Sequence, residues 1–311
     1  MYEESSSAAL TTAIDDVASS TMASSSSYDG LDGGFYFQYA VVVIGVVGTA
    51  ANALVLYAMV ASKQHKKQLL IFNQNAFDLC SSLLLVITYT VKLCNINYTG
   101  TLGYWLCMFF GSQNLFWCSV IGSTINLLSI TIERYVKVVH PNQSKKVLRK
   151  WVRWSAAAFA WIAGIVYQMA LVFSTSIVID GVCYGYAIWK SETAALVHGL
   201  WNVVSFYVIV LFIFVFCYGK ILVVIRRQAR VMAVHSGPGS STSQTQSSQI
   251  QSNVVKTMIL VSAFYVIAWT PGYIYYLLAH PHHFKSDLII TTDYVSTFLG
   301  FFYISANPFM P

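Results

Sequence analysis

The chain has 311 residues, of which 56% are hydrophobic and only 10% charged, and its mean hydropathy is +0.60. Ordinary soluble domains carry about 25% charged residues, so this composition marks a membrane protein. The net charge of +6 gathers next to apolar runs, and nothing in its placement points to nucleic acid as a partner.

Residues 1–34 are rich in Ser, Thr and Asp, and lack a basic start followed by an apolar stretch. They read as a disordered extracellular tail rather than a cleavable signal peptide, with the first apolar run acting as the insertion signal. Seven mostly apolar runs follow, at about 35–61, 69–92, 105–132, 154–178, 197–225, 254–279 and 288–311. Each is long enough for a spanning helix. Stretches such as Phe206 to Tyr218 do not alternate as barrel strands do. The expected fold is an all-α membrane protein, a seven-transmembrane helix bundle over 35–311 with its N-terminus extracellular. The polar stretch 235–252 between the fifth and sixth runs is expected to be a flexible cytoplasmic loop.

Charge sets the orientation. With the N-terminus outside, every Lys and Arg except Lys92, Lys190 and Lys285 falls on the cytoplasmic side, the asymmetry that resists translocation. Every acid other than Asp78 and Glu133 falls outside. The sequon Asn97-Tyr98-Thr99 then faces the side where glycosylation occurs, while Asn142-Gln143-Ser144 stays inside.

Cys80, Cys118 and Cys217 lie within apolar runs and read as packing residues. Cys107 at the outer end of the third run has two candidate situations, a bridge to Cys183 in the following outer loop or competition from Cys94.

Asp78, deep in the second run, costs about 2.5 to 3.5 kcal/mol to insert, so it faces the bundle interior. Its readings are a packing carboxylate bonded to Asn52, Ser123 or Asn307, a cation site, or a proton relay. Glu133 and Arg134, at the inner boundary of the third run, read on their own as an interfacial ion pair.

Taken in order, one motif per run, the chain resembles the rhodopsin-like family of G-protein-coupled receptors. The motifs are Gly48-Thr49-Ala50-Ala51-Asn52, Asn73 to Leu79 with Asp78, and Cys107 followed by Ile132-Glu133-Arg134-Tyr135. Trp161, Tyr218, Ala268-Trp269-Thr270-Pro271 and Asn307-Pro308 complete the series.

The resemblance implies a multi-pass plasma-membrane receptor whose partners are an extracellular ligand, a heterotrimeric G protein and membrane lipid. It implies a signalling switch at Glu133, Arg134, Tyr135, Tyr218, Trp269, Pro271, Asn307 and Pro308, with the acid holding the arginine at rest. It also implies a sodium ion at Asp78, Ser123 and Asn307.

Several positions depart from the pattern. Cys107 precedes Arg134 by two residues more than usual, which points either to a bulge in the outer third run or to a shifted alignment there. Val210 replaces the fifth-run proline, Tyr265 and Ala268 are mild changes, and the chain ends at Asn307-Pro308-Phe309-Met310-Pro311 without the usual tyrosine and tail. The expectation is a fragment.

Opsins of the family bind retinal through a seventh-run lysine. Phe301 stands there and no lysine follows Lys285, so no retinal is expected. Amine receptors use a third-run aspartate, where this chain has Phe116 counted from Arg134 or Asn114 counted from Cys107. An outer surface richer in acids than bases slightly favours a basic peptide. Asn114, Phe116, Trp201, Phe206, Trp269, Tyr273, Tyr276 and Phe301 are the expected pocket residues. His280, His282 and His283 form a candidate zinc cluster, with exposed loop histidines the plainer account. A small cation transporter or channel built around Asp78, and a decoy receptor that binds without coupling, are the competing readings. Catalysis has no candidate constellation.

Overall fold

Within lipid, a chain segment satisfies its own backbone polar groups only by forming helix or a closed barrel, and the apolar runs take the first solution. The structure is a computed structural model and describes residues 28–186, 188–235, 242–279 and 287–306. The first and second spans are α1 (Tyr28–Ala61) and α2 (Leu69–Leu93). The third span is assembled from α3 (Gly100–Leu106), a π-helical turn at Cys107–Gly111 and α4 (Asn114–Val139). A short α5 (Pro141–Val147) leads to α6 (Lys150–Thr175), the fourth span.

The fifth span combines α7 (Glu192–Val203), a second π-helical turn at Val204–Val208 and α8 (Ile209–His235). The sixth is α9 (Thr242–Ala279) and the seventh α10 (Asp287–Ala306). Among the described residues, six helical segments are long and apolar enough to cross a bilayer, and α10 adds a shorter apolar stretch, Tyr294–Ala306.

Between the fourth and fifth spans lies a hairpin of β1 (Ile177–Ile179) and β2 (Val182–Tyr184), antiparallel with Val178 opposite Cys183. Its two-residue turn, Asp180-Gly181, has positive φ at both positions (50° and 77°). This is the backbone that a tight hairpin requires and that Asp-Gly supplies.

The third span is the axis of the bundle: 67% of its most apolar window is buried, against 22% for the first span. Leu127 on α4, Leu85 and Tyr89 on α2, Val210, Phe214 and Tyr218 on α8, Tyr265 on α9 and Phe301 on α10 form one apolar core. Leu54, Phe212 and Val215 are about two-thirds exposed and face the hydrocarbon. Where α4 crosses α6, side chains give way to glycine. A Cβ at Gly164 would collide with the Cys118 carbonyl, and one at Gly122 with the Phe77 ring.

Two boundaries differ from expectation. Helix begins at Tyr28 rather than after residue 34; residues 1–27 lie outside the described residues. Of the loop expected over 235–252, residues 236–241 lie outside the described residues, and α9 already starts at Thr242. Once the apolar part of the sixth span is helical, each added turn needs no new nucleation, and Gln244, Gln246, Gln249 and Gln251 are fair helix formers.

Candidate ligand cavity and signalling core

The outer end of the bundle is organised by one covalent link. Cys107 and Cys183 form a disulfide with Cα atoms 5.4 Å apart, so of the two candidate pairings Cys94 is left free and exposed. Gly111 makes room for the bridge, since a Cβ there would meet the Cys183 sulfur at 2.6 Å. The Tyr98 amide donates to the Gly181 carbonyl at 2.8 Å, pinning the hairpin turn beside Asn97, which is exposed.

After the hairpin the chain turns inward. Tyr186 adopts a positive φ of 57°, and its amide is held by the Ser176 hydroxyl at 3.1 Å. Its own hydroxyl accepts from Gln168 Nε2 at 3.0 Å. Burial pushes the Tyr186 phenol well above its ordinary range, so it stays protonated. The Tyr186 carbonyl in turn accepts from Trp189 Nε1 at 3.0 Å.

Beneath this cover lies a cavity of about 360 Å3, whose walls come from α4, α6, α7, α9, α10 and the segment after the hairpin. Its floor is aromatic. The rings of Trp117 and Trp269 lie 6.1 Å apart, and Trp269 and Tyr273 6.5 Å. The polar wall includes His198 and Asn202, which are joined by the Tyr167 hydroxyl, meeting His198 Nε2 at 3.2 Å and donating to Asn202 Oδ1 at 3.0 Å. Gln168 and Thr124 add further hydrogen-bonding groups, and among the described residues none of those lining the cavity is Asp, Glu, Lys or Arg.

Of the residues expected here, Phe206, Trp269, Tyr273 and Phe301 line the cavity. The Tyr276 side chain lies outside the described residues. Three others are not among the described lining residues. Asn114 is fully buried with its amide on the Met169 sulfur, and Phe116 packs against Phe301. Trp201 is 58% exposed on the bundle's outer surface. The physical reason for the first two is the third-span break. The π-helical turn and Gln113, in the left-handed region at φ 58°, restart the helix, and Trp117 is the residue brought to the cavity. Trp117, His198, Asn202 and Gln168 were missed. Trp117 is one helical turn outside Ile121 and Val120, a spacing that sequence alone cannot orient until the break is known.

Midway down the bundle a polar network joins three spans. Asp78 is 1% exposed, and its Oδ1 accepts from Ser123 Oγ and Gln74 Nε2, each at 3.4 Å. Below it, Asn126 on α4 donates to the Leu70 carbonyl and to Gln74 Oε1, and accepts from Asn73 Nδ2. Trp161 on α6 donates to Asn73 Oδ1 at 3.0 Å while its ring stacks on Phe77 at 3.9 Å.

Asn52 donates to the Gly48 carbonyl. Its Oδ1, together with Ser82 Oγ and Ser305 Oγ, is buried with no protein partner. Ser82 lies one turn of α2 from Asp78, and buried oxygens without donors suit a hard cation or water. Asn307 and Pro308 lie outside the described residues, as do His280, His282 and His283. Among the described residues, no group of three His, Cys, Asp or Glu is placed to hold a metal.

At the inner end, Glu133 is buried and pairs with Lys137 at 2.5 Å. This replaces the expected contact with Arg134. Neighbours in a helix point about 100° apart, whereas residues four apart stack on one face. Arg134 Nε is buried without an acceptor. The Tyr218 hydroxyl bridges Thr131 Oγ1 at 3.1 Å and Ser262 Oγ at 3.0 Å, joining the third, fifth and sixth spans. Tyr135 turns outward against Phe216 and His140. Pro271 sits inside α9, where its missing N–H frees the carbonyl one turn back and favours a bend.

A family model described as "7 transmembrane receptor (rhodopsin family)" matches residues 51–310. The substance-K receptor of Canis lupus familiaris is 23% identical over 277 residues, which cover 87% of this chain and 68% of that receptor. Melanopsin of Podarcis siculus is 25% identical over 250 residues, 74% of this chain and 49% of that protein. Neuropeptide FF receptor 1 of Homo sapiens is 27% identical over 204 residues, 61% of this chain and 47% of that receptor. With a helical bundle of this topology, a bridged outer hairpin and a family match running through every span, the chain belongs to the rhodopsin family of seven-transmembrane receptors.

Proposed function

We propose that this multi-pass plasma-membrane protein binds an extracellular peptide and activates a heterotrimeric G protein. The observation that carries the reading is the cavity, which lies under the bridged hairpin and rests on Trp269. A ligand seated there touches the third, sixth and seventh spans at once and biases any equilibrium in which they move. The inner end supplies what would respond, Arg134 and the Tyr218 link between spans.

The chemistry of the walls narrows the ligand. With no formal charge among the described lining residues, a charged group buried against them would lose its hydration without a partner. The inserted end of the ligand is therefore uncharged and aromatic or aliphatic, with amide or hydroxyl groups matched to Gln168 and Asn202. Cationic parts stay outside, near Asp180 and Glu192. Likeness to a receptor named for neuropeptide FF supports a peptide. Phe301, at the place where the resemblance implies a retinal-binding lysine, supports a ligand other than retinal.

In the same reading, Asp78 and Ser123, with Asn307, hold a sodium ion that favours the resting state. The buried, partnerless oxygens nearby support this. The consequence is that Asp78→Asn removes any sodium dependence of agonist affinity.

The test is G-protein dissociation in cells displaying the tagged chain, challenged with panels of peptides, lipids and amines. A peptide response that disappears in Arg134→Ala is expected. Surface display with silence, together with an ion flux abolished by Asp78→Asn, would overturn the reading in favour of transport.

A further inference from the structure

The inner face carries a concentration of cations that the signalling reading does not use. Loop one contributes Lys66 and Lys67, both exposed, and the start of α6 contributes Arg149 and Lys150, also exposed, and Arg153, partly buried. These come from separate segments and are joined by one contact, Arg153 Nη1 donating to the Lys67 carbonyl at 3.3 Å. Leu70 at the start of α2 and Ala157 on α6 pack with Ile130 just above, so the two helix starts are held side by side.

No acid answers this charge. On the cytoplasmic side the sequence has only Glu133, and that carboxylate is taken by Lys137. The arginine is fixed by one Nη atom, while its Nε is buried with no acceptor. The rest of this planar guanidinium is only partly buried, and phosphate oxygens match its fork of N–H donors. Both helix starts reinforce the preference. Neither Gln68 before α2 nor Arg149 before α6 caps its helix with a side chain, so the positive end of each helix favours an anion.

Trp151 and Trp154, each 64% exposed, flank Lys150 and Arg153 on the outside of the bundle. Indoles in that position sit at headgroup depth. The site is therefore at the surface of the inner leaflet and open sideways to lipid.

We propose that the joined starts of α2 and α6 bind the headgroup of a multiply phosphorylated anionic phospholipid, with Arg153, Lys67, Lys66 and Lys150 around the phosphates. The number of cations and the lack of any neighbouring carboxylate favour a headgroup with several negative charges over a singly charged one. Each lysine or arginine near an anionic surface adds roughly fivefold in affinity, so removing two costs more than tenfold.

The experiment uses the full chain in nanodiscs of phosphatidylcholine alone, with phosphatidylserine, or with phosphatidylinositol 4,5-bisphosphate at matched total charge. Bound lipid is read by native mass spectrometry after release. Wild type is compared with Lys67→Gln/Arg153→Gln, and with Arg226→Gln/Arg227→Gln, which removes equal charge at the inner end of α8. The expected result is selective retention of the bisphosphate lipid, lost about tenfold or more in the first variant and kept in the second. Soluble inositol trisphosphate should compete weakly, because the indoles have no chain to cover.

Equal loss in both variants, or equal retention of phosphatidylserine, would reduce the site to diffuse surface charge and overturn the proposal. Full displacement by soluble inositol trisphosphate would overturn its assignment to a lipid. If Arg153→Gln fails to reach the membrane, Lys66→Gln/Lys67→Gln, confined to exposed residues, decides the same question.

Discussion

Replacing Asn126 by Leu removes the central joint between the second, third and fourth spans. The side chain is fully buried and makes three hydrogen bonds, to the Leu70 carbonyl, to Gln74 Oε1 and from Asn73 Nδ2, at 3.0, 2.9 and 2.9 Å. Interhelical bonds in membrane bundles average about 0.6 kcal/mol each and reach about 1.7, which puts the direct loss at roughly 2 kcal/mol. Gln74 Oε1 and Asn73 Nδ2 are then stranded in the interior, and Asn73 also orients Trp161, so the total is about 2 to 4 kcal/mol. For a chain of this size each kcal/mol is worth about 2 °C or more, so the apparent melting temperature should fall by about 4 to 8 °C.

A thiol-reactive dye reports the transition, because Cys118 and Cys217 are buried and become reactive on unfolding; Cys94, free and exposed, is first replaced by Ser. Ser129→Ala serves as the control, since that hydroxyl bonds only the Ile125 carbonyl of its own helix. An Asn126→Leu protein melting within about 2 °C of the parent would refute the view that this amide ties the spans together.

Three further outcomes follow from contacts described above. Lys137→Gln frees the Glu133 carboxylate to turn toward Arg134, so basal G-protein activation should drop by about threefold to fivefold, for about 1 kcal/mol; a rise in basal signal contradicts the assignment. Gly164→Val should abolish surface display, because the added carbons meet the Cys118 carbonyl, whereas Gly219→Val, with nothing within 4 Å of its Cβ position, should not; flow cytometry of a tagged chain separates them. Cys183→Ser should lower stability by about 4 kcal/mol, as expected for opening a loop of 76 residues, and non-reducing peptide mapping should recover Cys107 unpaired only in that variant; equal thermal stability would refute the estimate.

The spans and the inner and outer faces were legible because they depend on properties summed over many residues, hydrophobic length and the bias of Lys and Arg. Relationships that depend on direction were less so. Glu133 and Arg134 are adjacent in sequence, yet the helix separates them and hands the acid to Lys137. The surplus of two residues between Cys107 and Arg134 pointed to a bulge or a shifted alignment, and a π-helical turn is present at Cys107–Gly111. Its rotation of the following residues was not readable, which is why Asn114 and Phe116 were aimed at a cavity that Trp117 lines. Asn73 and Gln74 were named only as part of the motif around Asp78, and Asn126 not at all, although each is a polar residue inside an apolar run, a weaker form of the signal that singled out Asp78.

The break at Gln113 has a mechanical meaning. The third span is two rods with a joint, and the disulfide is fastened to the outer one, at Cys107. A pull on the hairpin loads that outer collar through the disulfide and α6 through Ser176 and Gln168, and reaches α4, which carries Arg134 at its far end, only across the joint. Force reaches the inner face sideways, through Trp117 pressing on Trp269, and the stiffness of that ring contact sets how much of the ligand's grip arrives.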